Sequence, residues 1–241
     1  MIESNTFSAG VNYLAQHGLN LLAVLSCAAL PNDIAQTITP TGARLHDYTR
    51  LVLIGNGGKQ FWTSFQAAGD KQVENPVDQY SAILVNKFIR DYLPPAPALM
   101  LFPGPYSIPL QRLGALAHWH HSSPLGVGIH SEYGLWFAYR AAFLTTALLP
   151  LRISSPSESP CKTCIKPCIS ACPVHAISNN QQPDLSKCLN FRLQEETVCA
   201  DRCLARLACP IAPEQRYSDE QISYHYKHSL HLIRRYQSAS R

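Results

Sequence analysis

Apolar and polar positions change their spacing along this chain of 241 residues. Short apolar runs between Gly, Pro, Asn or Ser predict buried strands, and runs with apolar residues three or four apart predict helices. Residues 31–43 are predicted to be a loop, and a turn is predicted at 131–134. The mixture of elements indicates an α/β or α+β fold. Strands are predicted at 19–26, 51–54, 98–102, 125–129 and 135–148, and helices at 4–17, 59–68, 76–92 and 108–119.

The residues after 150 show a different pattern. A segment rich in Ser and Pro predicts a linker, and the apolar runs that follow it are short and interrupted by cysteines. Residues 218–236 predict a helix with Ser218 as its N-cap. The sequence therefore predicts a domain at 1–152, a linker at 153–160, a module at 161–213, and a C-terminal helix at 214–241 that packs back on the first domain.

The cysteines are concentrated in one part of the chain. Eight of the nine lie between Cys161 and Cys209, and Cys27 is the remaining one. The N-terminus lacks the basic segment of a secretory signal, and no apolar run approaches the ~20 residues of a membrane-spanning helix. We therefore expect a cytoplasmic protein without membrane association, in which a cysteine cluster favours metal binding or catalysis over disulfides. Cys27, alone in an apolar strand, is interpreted as a small buried hydrophobic residue.

The cysteine spacing predicts a metal site with two similar halves. The first half is C-x2-C-x3-C-x3-C-P at 161–173, and the second is an isolated cysteine followed by C-x3-C-x5-C-P at 199–210. Bacterial two-cluster ferredoxins use C-x2-C-x2-C-x3-C-P, in which the cysteine before the proline binds the other cluster. The pattern therefore predicts two [4Fe–4S] clusters. The first would be held by Cys161, Cys164, Cys168 and Cys209, and the second by Cys172, Cys188, Cys199 and Cys203.

Two observations bear on this interpretation. One residue more than in the ferredoxin pattern separates Cys164 from Cys168, with Pro167 in the extra position, so the loop must bulge. Structural zinc, one cluster with zinc or free thiols, and disulfides therefore remain alternatives. The formal net charge of +4 lies wholly in residues 151–241, which hold twelve bases and eight acids. Two clusters with their thiolates would cancel this charge, so we interpret it as compensation rather than as a nucleic-acid surface.

A motif in the middle of the chain resembles a known family. Residues 126–140 are G-V-G-I-H-S-E-Y-G-L-W-F-A-Y-R, similar to the G-V-x-I-H-x-x-x-G-x-W-F-A-x-R of the CblC-type cobalamin-processing chaperones. N-P-V-D-Q at 75–79 and A-P-E-Q-R-Y-S-D-E-Q at 212–221 are similar to two further segments of that family. The motif followed by a cysteine module also resembles epoxyqueuosine reductase and the corrinoid reductive dehalogenases. The resemblance implies an α+β fold, with a nitroreductase-like cobalamin domain at 1–152 and a ferredoxin-like two-cluster module at 161–213.

The resemblance also implies a corrinoid site, in which His130 and Arg140 would be catalytic. Residues 111–114 are Q-R-L-G where the CblC-type proteins have H-x-x-G, which implies a cobalamin bound base-off, without a histidine ligand from the protein. The isolated Cys188, within K-C-L, matches a single ligand cysteine of the cluster-containing families. A flavin in the same pocket stays open, because nitroreductase-like folds also bind flavin. The implied cofactor-binding residues are Gln111, Gly114, Gly128, Ile129, His130, Gly134, Trp136 and Arg140.

The implied function is electron transfer from the clusters to the corrinoid, for reductive cobalamin processing. The alternatives are a cobalamin-dependent reductase of an organic or tRNA substrate, similar to epoxyqueuosine reductase, and a plain ferredoxin-type electron carrier. The sequence ends before the helical-repeat domain with which epoxyqueuosine reductases read tRNA, so a nucleic-acid partner is not expected. The expected partners are a corrinoid and an electron donor, either a reductase or a flavodoxin, and the oligomeric state is left open.

Overall fold

The computed structural model describes residues 2–38, 42–68, 73–179 and 181–239. Their contacts divide the chain into two compact units, which are considered separately. The first comprises Met1–His120 and Phe137–Ser157, and the second comprises His121–Trp136 and Glu158–Arg241.

The described elements are mixed helices and strands. The strands are β1 (Leu21–Ser26), β2 (Arg50–Gly57), β3 (Ala98–Phe102), β4 (His121–Ser122), β5 (Gly128–Ile129) and β6 (Phe137–Thr145). The α-helices are α1 (Ile2–Gln16), α2 (Asn32–Ile38), α3 (Gln60–Ala68), α4 (Pro76–Tyr92), α5 (Leu110–Leu116), α6 (Pro167–Ser170), α7 (Leu185–Leu193), α8 (Leu204–Leu207) and α9 (Asp219–Ala239). Short 3-10 turns occur at Cys27–Ala29, Leu45–Asp47 and Pro213–Gln215.

The first unit is built on an antiparallel sheet with the strand order β1-β2-β6-β3. Residues 51–54 of the central strand β2 are all fully buried. Because successive side chains of a strand point to opposite faces, this apolar run shows that both faces of β2 are covered. Helices α1 and α4 pack against each other through the stacked rings of Tyr13 and Tyr92, whose centroids are 5.3 Å apart. An antiparallel sheet with helices makes the fold α+β.

The second unit carries the cysteines on short elements. Strands β4 and β5 form an antiparallel pair, and helices α6, α7 and α8 alternate with the loops that hold most of the cysteines. The last helix, α9, begins as predicted: the backbone N–H of Gln221 donates to Ser218 Oγ at 3.2 Å. Its residues Ile222 and Leu230 are buried, so α9 presents an apolar side within this unit.

Several predicted elements are confirmed, with the same ends or with ends shifted by one or a few residues. Helices α3 and α4 match the predictions at 59–68 and 76–92, and the predicted strand at 98–102 is β3. The predicted loop at 31–43 is wrong, because residues 32–38 form α2, while residues 39–41 lie outside the described residues. The short helix buries Ile34 and Ile38, four residues apart, and the Pro31 carbonyl accepts from the N–H of Ala35 at 2.9 Å. A helix of seven residues with two buried apolar positions is too short a pattern to distinguish from a loop.

The segment around residue 130 also differs from its prediction. The turn at 131–134 is confirmed by reciprocal backbone hydrogen bonds between His130 and Gly134, at 2.8 and 2.9 Å. The two flanking strands, however, do not pair with each other: β5 pairs with β4, and β6 pairs with β2 and β3. The predicted strand at 135–148 begins only at Phe137.

The two compact units are a grouping by contacts, in which residues 121–136 and α9 belong to the same unit as the cysteines. Residues 153–159 form no helix or strand. The predicted domain at 1–152, linker at 153–160, module at 161–213 and packing of the C-terminal helix on the first domain stay predictions. Within the described ranges, no helix is both long and apolar enough to cross a membrane.

Candidate metal centre

Four cysteines of the second unit line one cavity. Cys161, Cys164, Cys168 and Cys209, the set that the spacing assigns to the first cluster, line one small cavity. Three of them come from the 161–168 loop and α6, and Cys209 follows α8. The structure thus brings together four thiols that are separated in the sequence.

The extra residue before Cys168 is accommodated by a left-handed backbone conformation. Lys166 has φ 55° and ψ 55°, and Pro167 begins α6 immediately after it. The backbone N–H of Lys166 donates to Sγ of Cys164 at 3.3 Å. The predicted bulge is therefore present, and it supplies a backbone donor to one of the sulfur atoms.

The rest of the cavity wall is mainly apolar. Ile129 and Leu135 are buried and pack with Cys209, and Leu125 and Ile211 lie against the same cluster of side chains. Ile129 is one of the residues predicted to bind a corrinoid, and the structure places it in the wall of the thiol-lined cavity. Apolar walls keep water away from the sulfur atoms, which is one way in which a protein tunes a metal site.

The thiols of this first set act on one another electrostatically. Burial raises the pKa of Cys168, and the neighbouring thiols Cys209, Cys161 and Cys164 raise it further. The pKa of Cys161 is raised by burial first and then by Cys209 and Cys164. Because metal ligation requires thiolates, binding at this set must release protons, and its affinity must increase with pH.

The other four ligand cysteines of the prediction form a second set. Burial raises the pKa of Cys188 first, and Cys203, Cys172 and Cys199 contribute in the same direction. The pKa of Cys199 is likewise raised by burial and by Cys203 and Cys172. The backbone N–H of Ala176 donates to Sγ of Cys172 at 3.4 Å. Each set therefore interacts mainly within itself, in the interleaved pairing that the spacing predicts.

The donor chemistry of the first set fits an iron–sulfur cluster. All nine cysteines lie among the described residues, and none of them forms a disulfide. Within the described part of the chain, no three Cys, His, Asp or Glu side chains are placed to ligate one metal ion. Four thiols around one small space are also the ligand set of a structural zinc ion, whose ligands lie about 2.0–2.3 Å from it. Four thiolates, backbone N–H donors to sulfur and apolar walls are the features that hold a [4Fe–4S] cluster.

The packing of the second unit involves three of the predicted corrinoid-binding residues, the two glycines Gly128 and Gly134 and the indole of Trp136. Gly134 has φ +55°, and a Cβ atom built on it would lie 2.5 Å from the carbonyl oxygen of Ile211. Gly134 is therefore required by its backbone and by the close approach of the chain after Cys209. Gly128 is buried in β5, opposite Ser122 of β4.

Trp136 is enclosed by aromatic and basic side chains of the second unit. Its ring is fully buried, lies 5.4 Å from the ring of Tyr217, and has the guanidinium groups of Arg206 and Arg216 at 4.5 and 5.8 Å. Among the described residues, neither Trp136 Nε1 nor the Tyr217 hydroxyl has a hydrogen-bond partner, and the same holds for the fully buried side-chain amide of Gln221. Buried polar groups normally have partners, so these atoms are an unmet hydrogen-bonding requirement within the described residues.

The ring of His130 is oriented by the turn that follows it. His130 is buried, and its Nδ1 accepts hydrogen bonds from the backbone N–H groups of Glu132 and Tyr133 at 3.0 and 3.3 Å. A neutral imidazole that accepts at Nδ1 carries its proton on Nε2. This tautomer has no lone pair on Nε2 for a metal ion, and its Nδ1 lone pair is taken by the two backbone N–H groups.

Arg140 lies in the first unit, at a bulge of β6. Ile54 pairs with Ala141 and Gly55 pairs with Tyr139, so Arg140 is the additional residue. The guanidinium donates from Nε to Oδ1 of Asn56 at 2.7 Å and lies 4.7 Å from the ring of Phe61. Bulges often redirect side chains near functional sites, and here the bulge points a buried arginine at the buried Asn56.

The remaining two predicted residues, Gln111 and Gly114, also lie in the first unit. Gln111 is exposed on α5. Gly114 is buried, and a Cβ atom built on it would collide with the hydroxyl of Tyr139. The structure thus explains Gly114 by the packing of Tyr139, while the corrinoid contacts inferred for Gln111 and Gly114 remain predictions.

Three polar residues of these sites were missed from the sequence. Asn56 orients Arg140, and it lies in a glycine-rich segment where a tight turn is the ordinary interpretation. Arg192 follows Cys188 by one helical turn, and Arg206 lies three residues from both Cys203 and Cys209. For the two arginines, the signal available in the sequence was a basic residue within one helical turn of a predicted ligand cysteine.

No protein-family model matches the sequence, and no match to a curated protein was found. The fold resembles that of an epoxyqueuosine reductase solved with an epoxyqueuosine-modified tRNA-Tyr stem loop, with 13% identity, coverage of 92% of this chain and 69% of that chain, and a TM-score of 0.56. Epoxyqueuosine reductase from Bacillus subtilis gives 13% identity, 90% and 68% coverage, and a TM-score of 0.58. The B12-trafficking protein CblC of C. elegans gives 13% identity, 94% and 92% coverage, and a TM-score of 0.47. The resemblance to epoxyqueuosine reductase that was drawn from the sequence is thereby confirmed at the level of the fold.

Proposed function

We propose that this chain is a redox protein that holds two [4Fe–4S] clusters and a corrinoid, and that it passes electrons from the clusters to the corrinoid for its reductive processing. The observation that carries the proposal is the packing of the 125–135 segment, which belongs to the corrinoid-like motif, around the first set of thiols. One structural unit therefore combines the ligands of a redox centre with part of the motif that the CblC-type families use for cobalamin.

The cysteines would hold the clusters, which supply one-electron transfer when they are bound. Cys161, Cys164, Cys168 and Cys209 would take the first, and Cys172, Cys188, Cys199 and Cys203 the second. The N–H donors of Lys166 and Ala176 stabilise negative charge on their sulfur partners, and the apolar wall around Cys209 excludes water. The N–H donors favour the reduced, more negative form of a cluster, whereas the exclusion of water disfavours added charge, so the two features would tune the reduction potential in opposite directions.

The unpartnered polar atoms of the second unit support the corrinoid part of the proposal. Corrinoids carry carboxamide side chains, which both donate and accept hydrogen bonds. Trp136 Nε1 offers a donor, the Tyr217 hydroxyl offers either role, and the Gln221 amide offers both. The Nδ1 of His130 is occupied by two backbone N–H groups, so this nitrogen offers no lone pair to cobalt, which supports a base-off corrinoid without a protein histidine ligand.

A combined analysis tests both parts. The chain is purified anaerobically, assayed for iron, sulfide and cobalt, and titrated with hydroxocobalamin under a low-potential reductant while the corrinoid spectrum is recorded. We expect iron and sulfide for two clusters and a base-off spectrum that saturates at one corrinoid per chain. Iron and sulfide without any corrinoid binding would refute the corrinoid part and leave an electron carrier.

Tyr217→Phe sharpens the test, because it removes only the hydroxyl. We expect the variant to bind the corrinoid about 2- to 10-fold more weakly, the value of one hydrogen bond, while its ligand-free form is as stable as the wild type or more stable. Tyr236→Phe, at an exposed tyrosine of α9, is the matched control and should change neither quantity. Unchanged affinity in Tyr217→Phe would contradict the assignment of this hydroxyl to the ligand.

A further inference from the structure

Three arginines of the second unit, the buried Arg192 and the half-buried Arg206 and Arg216, have no carboxylate partner among the described residues. The ion pairs found among the described residues include none of Arg192, Arg206 and Arg216. By contrast, Arg202, which directly precedes Cys203, pairs with Asp201 at 2.8 Å. A guanidinium is always charged, and removing it from water is costly unless a negative charge lies nearby, a cost that is greatest for the buried Arg192.

Arg192 is directly bonded to the chain around the second set of thiols. It is buried, donates from Nε to the carbonyl oxygen of Cys199 at 3.3 Å, and donates from Nη2 to the carbonyl oxygen of Tyr226 at 2.9 Å. Its third bond, to Ser229 Oγ, is 3.4 Å long. Carbonyl and hydroxyl oxygens satisfy its donors but leave its charge uncompensated.

Arg206 and Arg216 lie at the first set of thiols. Arg206 donates to the carbonyl oxygen of Leu135 at 2.5 Å, and Leu135 lines the cavity of that set. Arg216 donates to the carbonyl oxygen of Leu207 at 2.8 Å. Both guanidinium groups lie near the ring of Trp136, at 4.5 and 5.8 Å, and neither forms an ion pair with an acid among the described residues.

Each of the two proposed clusters would supply negative charge to the arginines that lie near its thiols. A [4Fe–4S]2+ core with four thiolates carries two net negative charges, and one-electron reduction adds a third. Resting on the proposed function, we propose that Arg192 is the counter-charge of the second cluster and that Arg206 and Arg216 are the counter-charges of the first. Each arginine then raises the reduction potential of its own cluster, because a fixed positive charge stabilises the reduced form more than the oxidised form.

Charge-removing and charge-keeping variants test this inference in the intact chain. Arg192→Gln and Arg192→Lys are purified anaerobically, and the reduced fraction of each cluster is followed by EPR in a redox titration. We expect Arg192→Gln to lower the reduced-to-oxidised ratio of one cluster about tenfold at a fixed potential, equivalent to about 59 mV for one electron. The lysine variant should stay near the wild type, and the other cluster should not change. Arg202→Gln is the matched control, because Arg202 is next to a ligand cysteine but already paired.

Each result supports or overturns the inference. If Arg192→Gln loses the iron of one cluster while Arg192→Lys keeps it, the positive charge is needed for cluster binding, and this result supports the inference. If the lysine and glutamine variants behave alike, or both clusters shift equally, Arg192 has only a packing role and the inference is wrong. If the wild type contains no clusters, the proposed function fails together with the inference. If clusters are present but their reduction potentials do not change in Arg192→Gln, only the inference is overturned.

Discussion

Replacement of Gly134 by alanine tests whether the corrinoid-like motif is built into the cysteine module. Gly134 has φ +55°, and the added methyl group would lie 2.5 Å from the carbonyl oxygen of Ile211. Gly42→Ala is the control. Gly42 also has a positive φ, of +82°, but no atom lies within 4 Å of the added Cβ. The difference between the two variants therefore isolates the approach of Ile211.

The expected magnitudes follow from this geometry. A left-handed backbone at a residue with a Cβ costs about 1–2 kcal/mol, and both variants bear this cost. The gain from a less flexible unfolded chain, about 0.4–1 kcal/mol, also applies to both. Overpacking against a backbone atom adds about 1–3 kcal/mol in Gly134→Ala alone. Since 1 kcal/mol shifts Tm by about 2–4 °C in a chain of this size, Gly134→Ala should melt roughly 2–12 °C below Gly42→Ala.

The measurement is thermal unfolding at one fixed scan rate, with circular dichroism for the backbone and visible absorbance for the iron–sulfur centre. We expect the visible signal of Gly134→Ala to be lost at the lower temperature as well, because the displaced Ile211 lines the first cavity. Equal melting temperatures for the two alanine variants would refute the claim that Gly134 is held against the module.

The remaining predictions concern the first unit. A double-mutant cycle of Arg140→Met and Asn56→Ala should give a coupling of about 1.5–3 kcal/mol in thermal unfolding, because a buried charged hydrogen bond joins the two side chains; a coupling near zero would contradict that bond. Gly114→Ala should lose about 1–3 kcal/mol of stability through collision with the Tyr139 hydroxyl. Tyr139→Phe in the same chain should recover part of this loss, although it gives up the 2.8 Å bond to His120 Nδ1, and no recovery would show that another contact is responsible.

The sequence predicted those features that depend on local spacing. The long amphipathic helix α4 and the strand β3 were found within one residue, because several turns or a full apolar run repeat the signal. The division of the eight cysteines into two ligand sets was also drawn from spacing, and it stays a prediction. The short helix α2 was missed because seven residues contain too few apolar positions to show a period.

The sequence could not show which residues far apart in the chain meet. Gly134, Trp136 and Ile129 were assigned to a corrinoid by resemblance, yet their observed neighbours are Ile211, Arg206 and Cys209 of the cysteine module. Such contacts depend on long-range packing, which one sequence does not encode as a local pattern. Asn56 was missed for the same reason, because its partner Arg140 is 84 residues away.

The most direct measurement of the central claim is the iron and sulfide content of three anaerobically purified variants. The wild type should contain about eight iron atoms per chain, and Cys188→Ala and Cys209→Ala should each retain about half, with the lost EPR signal differing between them. Cys27→Ala changes a buried thiol whose pKa is raised to about 11 by burial, and this variant should retain the full iron and sulfide content of the wild type. Unchanged iron in Cys188→Ala, or loss of the same signal in both ligand variants, would contradict two clusters with interleaved ligands.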